Sequence, residues 1–346
     1  MDRSRRAWAG VALCAGLIAS HAHGACKIAQ ISELRVARVG NQPMIDGQIN
    51  EQPIKILVDT GSYDSFISGG AARRLNLPIR DNTGPSAVGR GIGGETQQRN
   101  TVVEHLTIDR FSANGLRLNV TASKLAEDPN SFAFVLGSDF FAHFATEFDL
   151  AHGAIRLLHP DGCKPEQLVY WDQAYFLADL ERMSGADHLM YSHVLVNGTR
   201  TRAMLDTGAS ASFISIVAAR SAGVKPGDPG VEESGPVTGI AGAPIPTWVG
   251  RFDRFSFGNE TVRNAKLRIG DLFGSDRDEH LGSHIAQVSE GLPELILGAD
   301  FFQAHRIVVL PSEHTALFTY NGGPIFQVRR PNESPAQAPP PPLSSQ

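Results

Sequence analysis

Two aspartates offer the clearest chemistry in this sequence. Asp59 opens the decapeptide Asp59-Thr60-Gly61-Ser62-Tyr63-Asp64-Ser65-Phe66-Ile67-Ser68. Asp206 opens Asp206-Thr207-Gly208-Ala209-Ser210-Ala211-Ser212-Phe213-Ile214-Ser215, 147 residues later, with seven of ten positions identical. If two similar halves close on each other, the two carboxyls reach a common axis. Two unit negative charges about 3 Å apart repel by roughly 5 kcal/mol at an effective dielectric of 20, which is worth around four pK units. Such a pair keeps one shared proton. One member can then act as general base toward a water while its protonated partner donates a hydrogen bond to a carbonyl. The two apparent pKa values belong to the pair.

The neighbouring residues suit this chemistry. Gly61 and Gly208 carry no Cβ, so the backbone can turn sharply and approach a carboxylate that needs donors. Thr60 and Thr207 supply hydroxyls able to bond across the junction between halves. Two further motifs repeat in the same order. Gly91-Ile92-Gly93-Gly94 returns as Gly239-Ile240-Ala241-Gly242 at an offset of 148, and Leu136-Gly137-Ser138-Asp139-Phe140-Phe141 returns as Leu297-Gly298-Ala299-Asp300-Phe301-Phe302 at 161. The glycine-rich stretches read as mobile covers that expel water from a cleft. The growth in offset places an insertion in the second half, at the polar stretch Asp271 to Gln287.

The elements that must position these residues are mostly strands. Val194 to Val196, the turn Asn197-Gly198 and Thr199 to Leu205 read as a hairpin ending at Asp206, and Met44 to Ile49, Asn50 to Gln52 and Pro53 to Val58 repeat that outline ahead of Asp59. Short helices are expected at Gly69 to Leu75, at Ile216 to Ala222, and from Asp139 and Asp300. The class is mainly β.

Asp-Thr-Gly-Ser and Asp-Thr-Gly-Ala each follow an apolar strand and precede a glycine-rich stretch and then Val135-Leu136-Gly137 or Ile296-Leu297-Gly298. This pattern resembles the retropepsin-like clan of aspartic peptidases over most of residues 35 to 325. The resemblance implies two similar pepsin- or retropepsin-like β-barrel lobes with a central cleft for an extended peptide or unfolded protein, and no cofactor or metal. It implies Asp59 and Asp206 as the catalytic dyad, supported by the loops Thr60-Gly61-Ser62 and Thr207-Gly208-Ala209. Flaps fall at Gly91, Ile92, Gly93 and Gly94 and at Gly239, Ile240, Ala241 and Gly242, with Gly137 and Gly298 on strands crossing behind. Pepsins carry one flap with a tyrosine, but no tyrosine lies between Tyr63 and Tyr170 here. With a glycine-rich flap in each half, the chain resembles a fused retropepsin dimer, so a monomer is expected.

Length and composition agree with two cores. The chain has 346 residues, 42% hydrophobic and 19% charged, enough for two domains. A net charge of −5 gives no reason to expect nucleic acid or an anionic membrane as partner. Residues 1–24 read as an export signal: Arg3, Arg5 and Arg6, an apolar run from Trp8 to Ala19, and the small-residue site Ala22-His23-Gly24. The run is too short to span a bilayer. A periplasmic or secreted protein is expected, and His23-Gly24-Ala25 lacks the leucine of a lipoprotein signal at Cys26. With Cys14 in the leader, Cys26 and Cys163 remain as a pair in an oxidising compartment, which predicts a disulfide around the first half. The layout is then a lobe at 25–162, a linker at 163–175, a second lobe at 176–330 and a disordered proline-rich tail at 331–346.

Other tempting residues have plainer readings. Asp139 and Asp300 open helical segments, where N-capping is expected. Asp64, whose counterpart is Ala211, reads as surface. His280 and His284 have a zinc-like spacing but lie in the polar insertion with no Glu after the first His, so a solvated loop is expected. The paired phenylalanines at 140, 141, 301 and 302 read as core. No nucleophile elbow, Walker loop or dinucleotide fingerprint is present. The functional expectation is an aspartic endopeptidase; the alternative is a catalytically silent peptide-binding or scaffolding protein of the same fold.

Overall fold

A computed structural model describes residues 26–82, 88–92, 94–122, 131–171, 174–182, 188–239, 243–272 and 292–327. The leader, the tail, His280 and His284 lie outside the described residues, as does most of the expected insertion.

Each half folds into a sheet closed on itself, built in the same way. In the first lobe Gln52–Val58 runs antiparallel to Gln42–Ile49 and parallel to Phe134–Leu136, which in turn is antiparallel to Phe66–Ser68. Pairing of Gln42–Ile49 with Gly94–Ile108 closes the sheet. In the second lobe Thr199–Leu205 runs antiparallel to Tyr191–Val196 and parallel to Leu295–Leu297, which is antiparallel to Phe213–Ser215. There Tyr191–Val196 pairs with Thr247–Phe257 to close it. The two hairpins ahead of the aspartates turn at Asn50–Glu51 (φ 48° and 65°) and Asn197–Gly198 (φ 49° and 85°). Positive φ at both central residues gives the twist that continues into right-twisted strands. The first turn is one residue shorter than expected, since Gln52 already belongs to its strand.

Helices are few and short. Gly69–Arg74 and Ile216–Ser221 start at Ser68 and Ser215, whose hydroxyls accept from the amides of Ala71 and Ala218 at 3.1 Å. Such a cap is worth about 1 kcal/mol. Phe141, Phe301 and Phe302 are buried in the core and Phe140 packs against it.

A third sheet joins the halves. Its order is Lys27–Arg35, Ala154–Asp161, Ala145–Asp149, His305–Leu310, Thr315–Tyr320, Phe176–Asp179, three strands from each half. The halves meet where Thr146, Glu147 and Phe148 oppose Val309, Val308 and Ile307. Glu147 is fully buried there and accepts from Arg156 Nη1 at 2.5 Å, from Arg306 Nε at 2.9 Å and from the Tyr170 hydroxyl. The Arg306 guanidinium also lies 4.2 Å from the centre of the Trp171 ring. A buried carboxylate is tolerated when it is paired and hydrogen-bonded in this way.

Residues of the expected linker are part of this junction. Pro165–Leu168 forms a 3-10 turn, and Leu168 is buried with Val308, Leu310 and Leu317. The predicted disulfide joins Cys26 to Cys163. It ties the start of the first strand to the chain beyond the first lobe and closes a loop of 137 residues. Among the described residues no helix is long and apolar enough to cross a membrane.

Candidate active site

Asp59 and Asp206 follow directly on the strands Gln52–Val58 and Thr199–Leu205. Each is fixed by an amide-to-carbonyl bond to the neighbouring parallel strand, Asp59 to Leu136 at 3.0 Å and Asp206 to Leu297 at 2.9 Å. The tight turns that follow present backbone donors to the carboxylates. Gly61 donates to Asp59 Oδ1 at 3.0 Å, and Gly208 and Ala209 donate to Asp206 Oδ1 at 2.9 and 3.1 Å. The two side chains are hydrogen-bonded to each other. Asp206 is buried and Asp59 half-buried.

The glycines are required by this approach. A Cβ on Gly61 would lie 2.3 Å from Asp206 Cγ, and one on Gly208 would lie 2.3 Å from Asp59 Cγ. Each loop therefore packs its glycine against the carboxyl of the opposite half. The threonines lock the same junction. Thr60 N donates to Thr207 Oγ1 at 3.1 Å and Thr207 N to Thr60 Oγ1 at 3.0 Å. The hydroxyls continue to Leu205 O and Val58 O, both at 2.8 Å. Both threonines are fully buried.

Burial first, then the charge of Asp206 and the bond to it, holds the Asp59 carboxyl well above its ordinary value of 3.8. Burial also raises Asp206, against the bond from Asp59 and the amides of Ala209, Gly208 and Gly61. These are the conditions for a pair that retains one proton.

Matches to known families cover both halves. Residues 45–143 match the family described as "gag-polyprotein putative aspartyl protease", and residues 192–301 match "Aspartyl protease". Each half of the chain is thus similar to an aspartyl-protease domain, one match falling in each lobe. Among solved structures, it is similar to a retropepsin-like aspartic protease from Rickettsia conorii, at 17% identity and a TM-score of 0.27, covering 39% of this chain and 95% of that one. A search of curated proteins returned no match.

The first expected flap is a hairpin in which Val88–Gly91 pairs with the start of Gly94–Ile108 and Ile92 stands at the turn. Val237–Thr238 and Pro244–Ile245 form the second. The flaps touch: a Cβ on Gly239 would lie 2.1 Å from the Ile92 carbonyl oxygen. Ile92 packs into an apolar group of the second lobe that contains Tyr191, Met204, Phe213, Ala209 and Ala211. Gly93, Ile240, Ala241 and Gly242 lie outside the described residues.

Two expectations need correction. Asp139 and Asp300 do not cap their helices; Gly137 and Gly298 occupy the cap positions and the acids stand inside the first turn. There they accept from Ser65 Oγ and Ser212 Oγ at 2.7 Å, and those same hydroxyls accept from the amides of Gly137 and Gly298 at 3.0 Å. The acids thus brace the loop after each catalytic-position aspartate. Gly137 and Gly298 stand one residue beyond the crossing strands, where a Cβ would press on Asp64 or Ala211 backbone at 2.8 or 2.5 Å. Asp64 is exposed, as expected.

Sequence reasoning missed the polar groups that reach the loops from elsewhere in the chain. Asn41 Nδ2 and Gln42 Nε2 of the first lobe donate to Ser210 O at 3.0 Å and Gly208 O at 2.6 Å. Ser138 Oγ donates to Thr60 O at 2.6 Å. Only Ser65 and Ser212 carried a signal, their identity in both decapeptides.

Proposed function

We propose that the chain is an aspartic endopeptidase whose dyad, Asp59 and Asp206, hydrolyses peptide bonds in extended peptides or unfolded proteins. The observation that carries this reading is the juxtaposition of two hydrogen-bonded carboxyls, each against the glycine of the opposite loop, behind a reciprocal threonine lock. In the monoprotonated pair, the ionised oxygen takes a proton from a water as its oxygen attacks the scissile carbonyl carbon. The other carboxyl donates its proton to the carbonyl oxygen, giving a neutral tetrahedral diol. The proton taken from the water then passes to the amine nitrogen as the C–N bond breaks, and a hydroxyl of the diol gives its proton to the other carboxylate, leaving a carboxylic acid, an amine and one proton on the pair. Amides of Gly61, Gly208 and Ala209 keep the ionised member charged without a metal or covalent intermediate.

The flaps close over the substrate strand and exclude bulk water, with Gly91 to Gly94 and Gly239 to Gly242 as their tips. The Cys26–Cys163 bridge fits an oxidising compartment, in line with the leader sequence and a periplasmic or secreted site of action.

The test is digestion of an unfolded protein by the purified mature chain between pH 3 and 7, beside Asp59→Asn and Asp206→Asn. Cleavage by the parent and loss of at least about 100-fold in each variant is expected, the scale of removing a positioned acid or base. Peptide binding without cleavage at any pH, or cleavage that survives both substitutions, defeats the proposal.

A further inference from the structure

The two lobes differ in one pocket, and the difference says what the pocket holds. In the second lobe the chain returns after its last strand and lays Ile325, Phe326 and Gln327 against the sheet. Phe326 meets Phe255 edge-on, with ring centres 5.0 Å apart, and lies over Phe301 at 6.4 Å. The Gln327 amide donates to Asp300 Oδ2 at 3.1 Å. Asp300 is 1% exposed beneath this segment, and Phe255, Phe257 and Phe301 are fully buried.

The internal repeat maps this pocket onto the first lobe. Asp300 and Phe301 correspond to Asp139 and Phe140 at the offset of 161. The two-residue turns Asp109–Arg110 and Gly258–Asn259 align Leu106 and Ile108 with Phe255 and Phe257. In the first lobe these four residues line an open cavity of about 560 Å³, whose walls also include Ala113, Leu116 and Phe134. That volume lies in the range of ligand pockets, roughly 300–1,000 Å³. Asp139 and Phe140 remain half-exposed there, unlike their counterparts. Asp139 Oδ1 is taken by Ser65, as Asp300 Oδ1 is taken by Ser212. Among the described residues no backbone amide is hydrogen-bonded to Asp139 Oδ2, the counterpart of the atom that receives the Gln327 amide in the second lobe.

We infer that the first-lobe pocket is a docking site for an extended peptide of another protein, carrying an apolar–aromatic pair followed by a free backbone N–H, the pattern of Ile325-Phe326-Gln327. The aromatic ring fills the space above Leu106 and Phe140, and the following amide donates to Asp139. The chain's own Ile325–Gln327 segment is held in its own lobe at high effective concentration, so that segment does not serve the first-lobe pocket, and the occupant we propose is a peptide supplied in trans. This site is separate from the dyad and does not depend on peptidase activity.

The probe is a fluorescent peptide with the sequence of residues 323–328, titrated by polarisation against the mature chain carrying Asp59→Asn so that no cleavage intervenes. Saturable one-to-one binding is expected, at least tenfold weaker when the peptide's phenylalanine is alanine. Ala113→Trp, which fills the pocket from a half-exposed position, should weaken it at least tenfold. Asp139→Asn should weaken it several-fold. A circular-dichroism melt establishes that each variant is folded. Absence of saturable binding, or binding unchanged by Ala113→Trp in a folded protein, overturns the assignment. So does binding that Ala113→Trp spares and Phe255→Ala alone removes, which would place the peptide in the second lobe by exchange with Phe326.

Discussion

Thr207→Val tests the junction that brings the dyad together. The substitution keeps the side chain's shape and removes one hydroxyl, so the Thr60 amide loses its acceptor at 3.1 Å and the Val58 carbonyl loses a donor at 2.8 Å. Both losses occur where the threonines are fully buried. Each buried group left unsatisfied costs about 1–3 kcal/mol, so the variant should lose about 2–6 kcal/mol in all. At about 2–4 °C per kcal/mol for units of 150–250 residues, the melting temperature should fall by several to some twenty degrees. Thr60→Val strips the Thr207 amide and the Leu205 carbonyl of equivalent bonds and should cost the same. Thr207→Ser keeps the hydroxyl, loses one methyl and should cost only about 1 kcal/mol. Urea and thermal unfolding followed by tryptophan fluorescence measures all three, since Trp171 lies at the junction of the halves and Trp248 in the second lobe. A Thr207→Val variant as stable as the parent, or a serine variant as damaged as the valine, would refute the reasoning.

Two further outcomes follow from buried titratable groups. Because burial raises Asp59 and Asp206 above 3.8, their contribution to stability is fully present below the unfolded value and is lost as pH rises through the raised native values. Asp59→Asn should therefore gain stability relative to the parent as pH rises from 3.5 to 7, and parallel stability–pH curves for the two proteins would contradict this. In the second lobe His305 is fully buried, with Nδ1 facing the Phe301 carbonyl at 2.8 Å and Nε2 facing Glu260 Oε1 at 3.1 Å. The repeat places Phe144 and Phe111 at these positions in the first lobe, with rings 5.7 Å apart. Removing one partner by His305→Phe should cost about 3–5 kcal/mol, whereas the double variant His305→Phe/Glu260→Phe should restore or exceed parental stability. Denaturant melts showing a double variant worse than the single one would reject this.

The site was legible because its parts are local and occur twice. Asp-Thr-Gly, the Asn197-Gly198 turn and the serine caps each declare themselves within a few residues, and the repeat fixes their order. The sequence also contained Ser65 and Ser212, but the aspartates they hold lie 74 and 88 residues away, so a helix-start rule assigned those acids to capping instead. Gly137 and Gly298 took the cap position because the loop backbone leaves no room for a Cβ. Glu147 and Arg306, separated by 159 residues, share no motif; their pairing arises only once the third sheet forms. The same is true of Leu168 and Trp171, which read as connector and pack as core.

Glu147 has a consequence for assembly. Strand pairing at the seam is nearly symmetric: Glu147 faces Val308, its own counterpart at the offset of 161. Two copies of the first half meeting along this edge would set Glu147 against Glu147, with neither copy supplying Arg306, whose place is taken by Ala145. Like charges directly opposed across strands disfavour that union, so the seam selects the unlike half and rejects its twin.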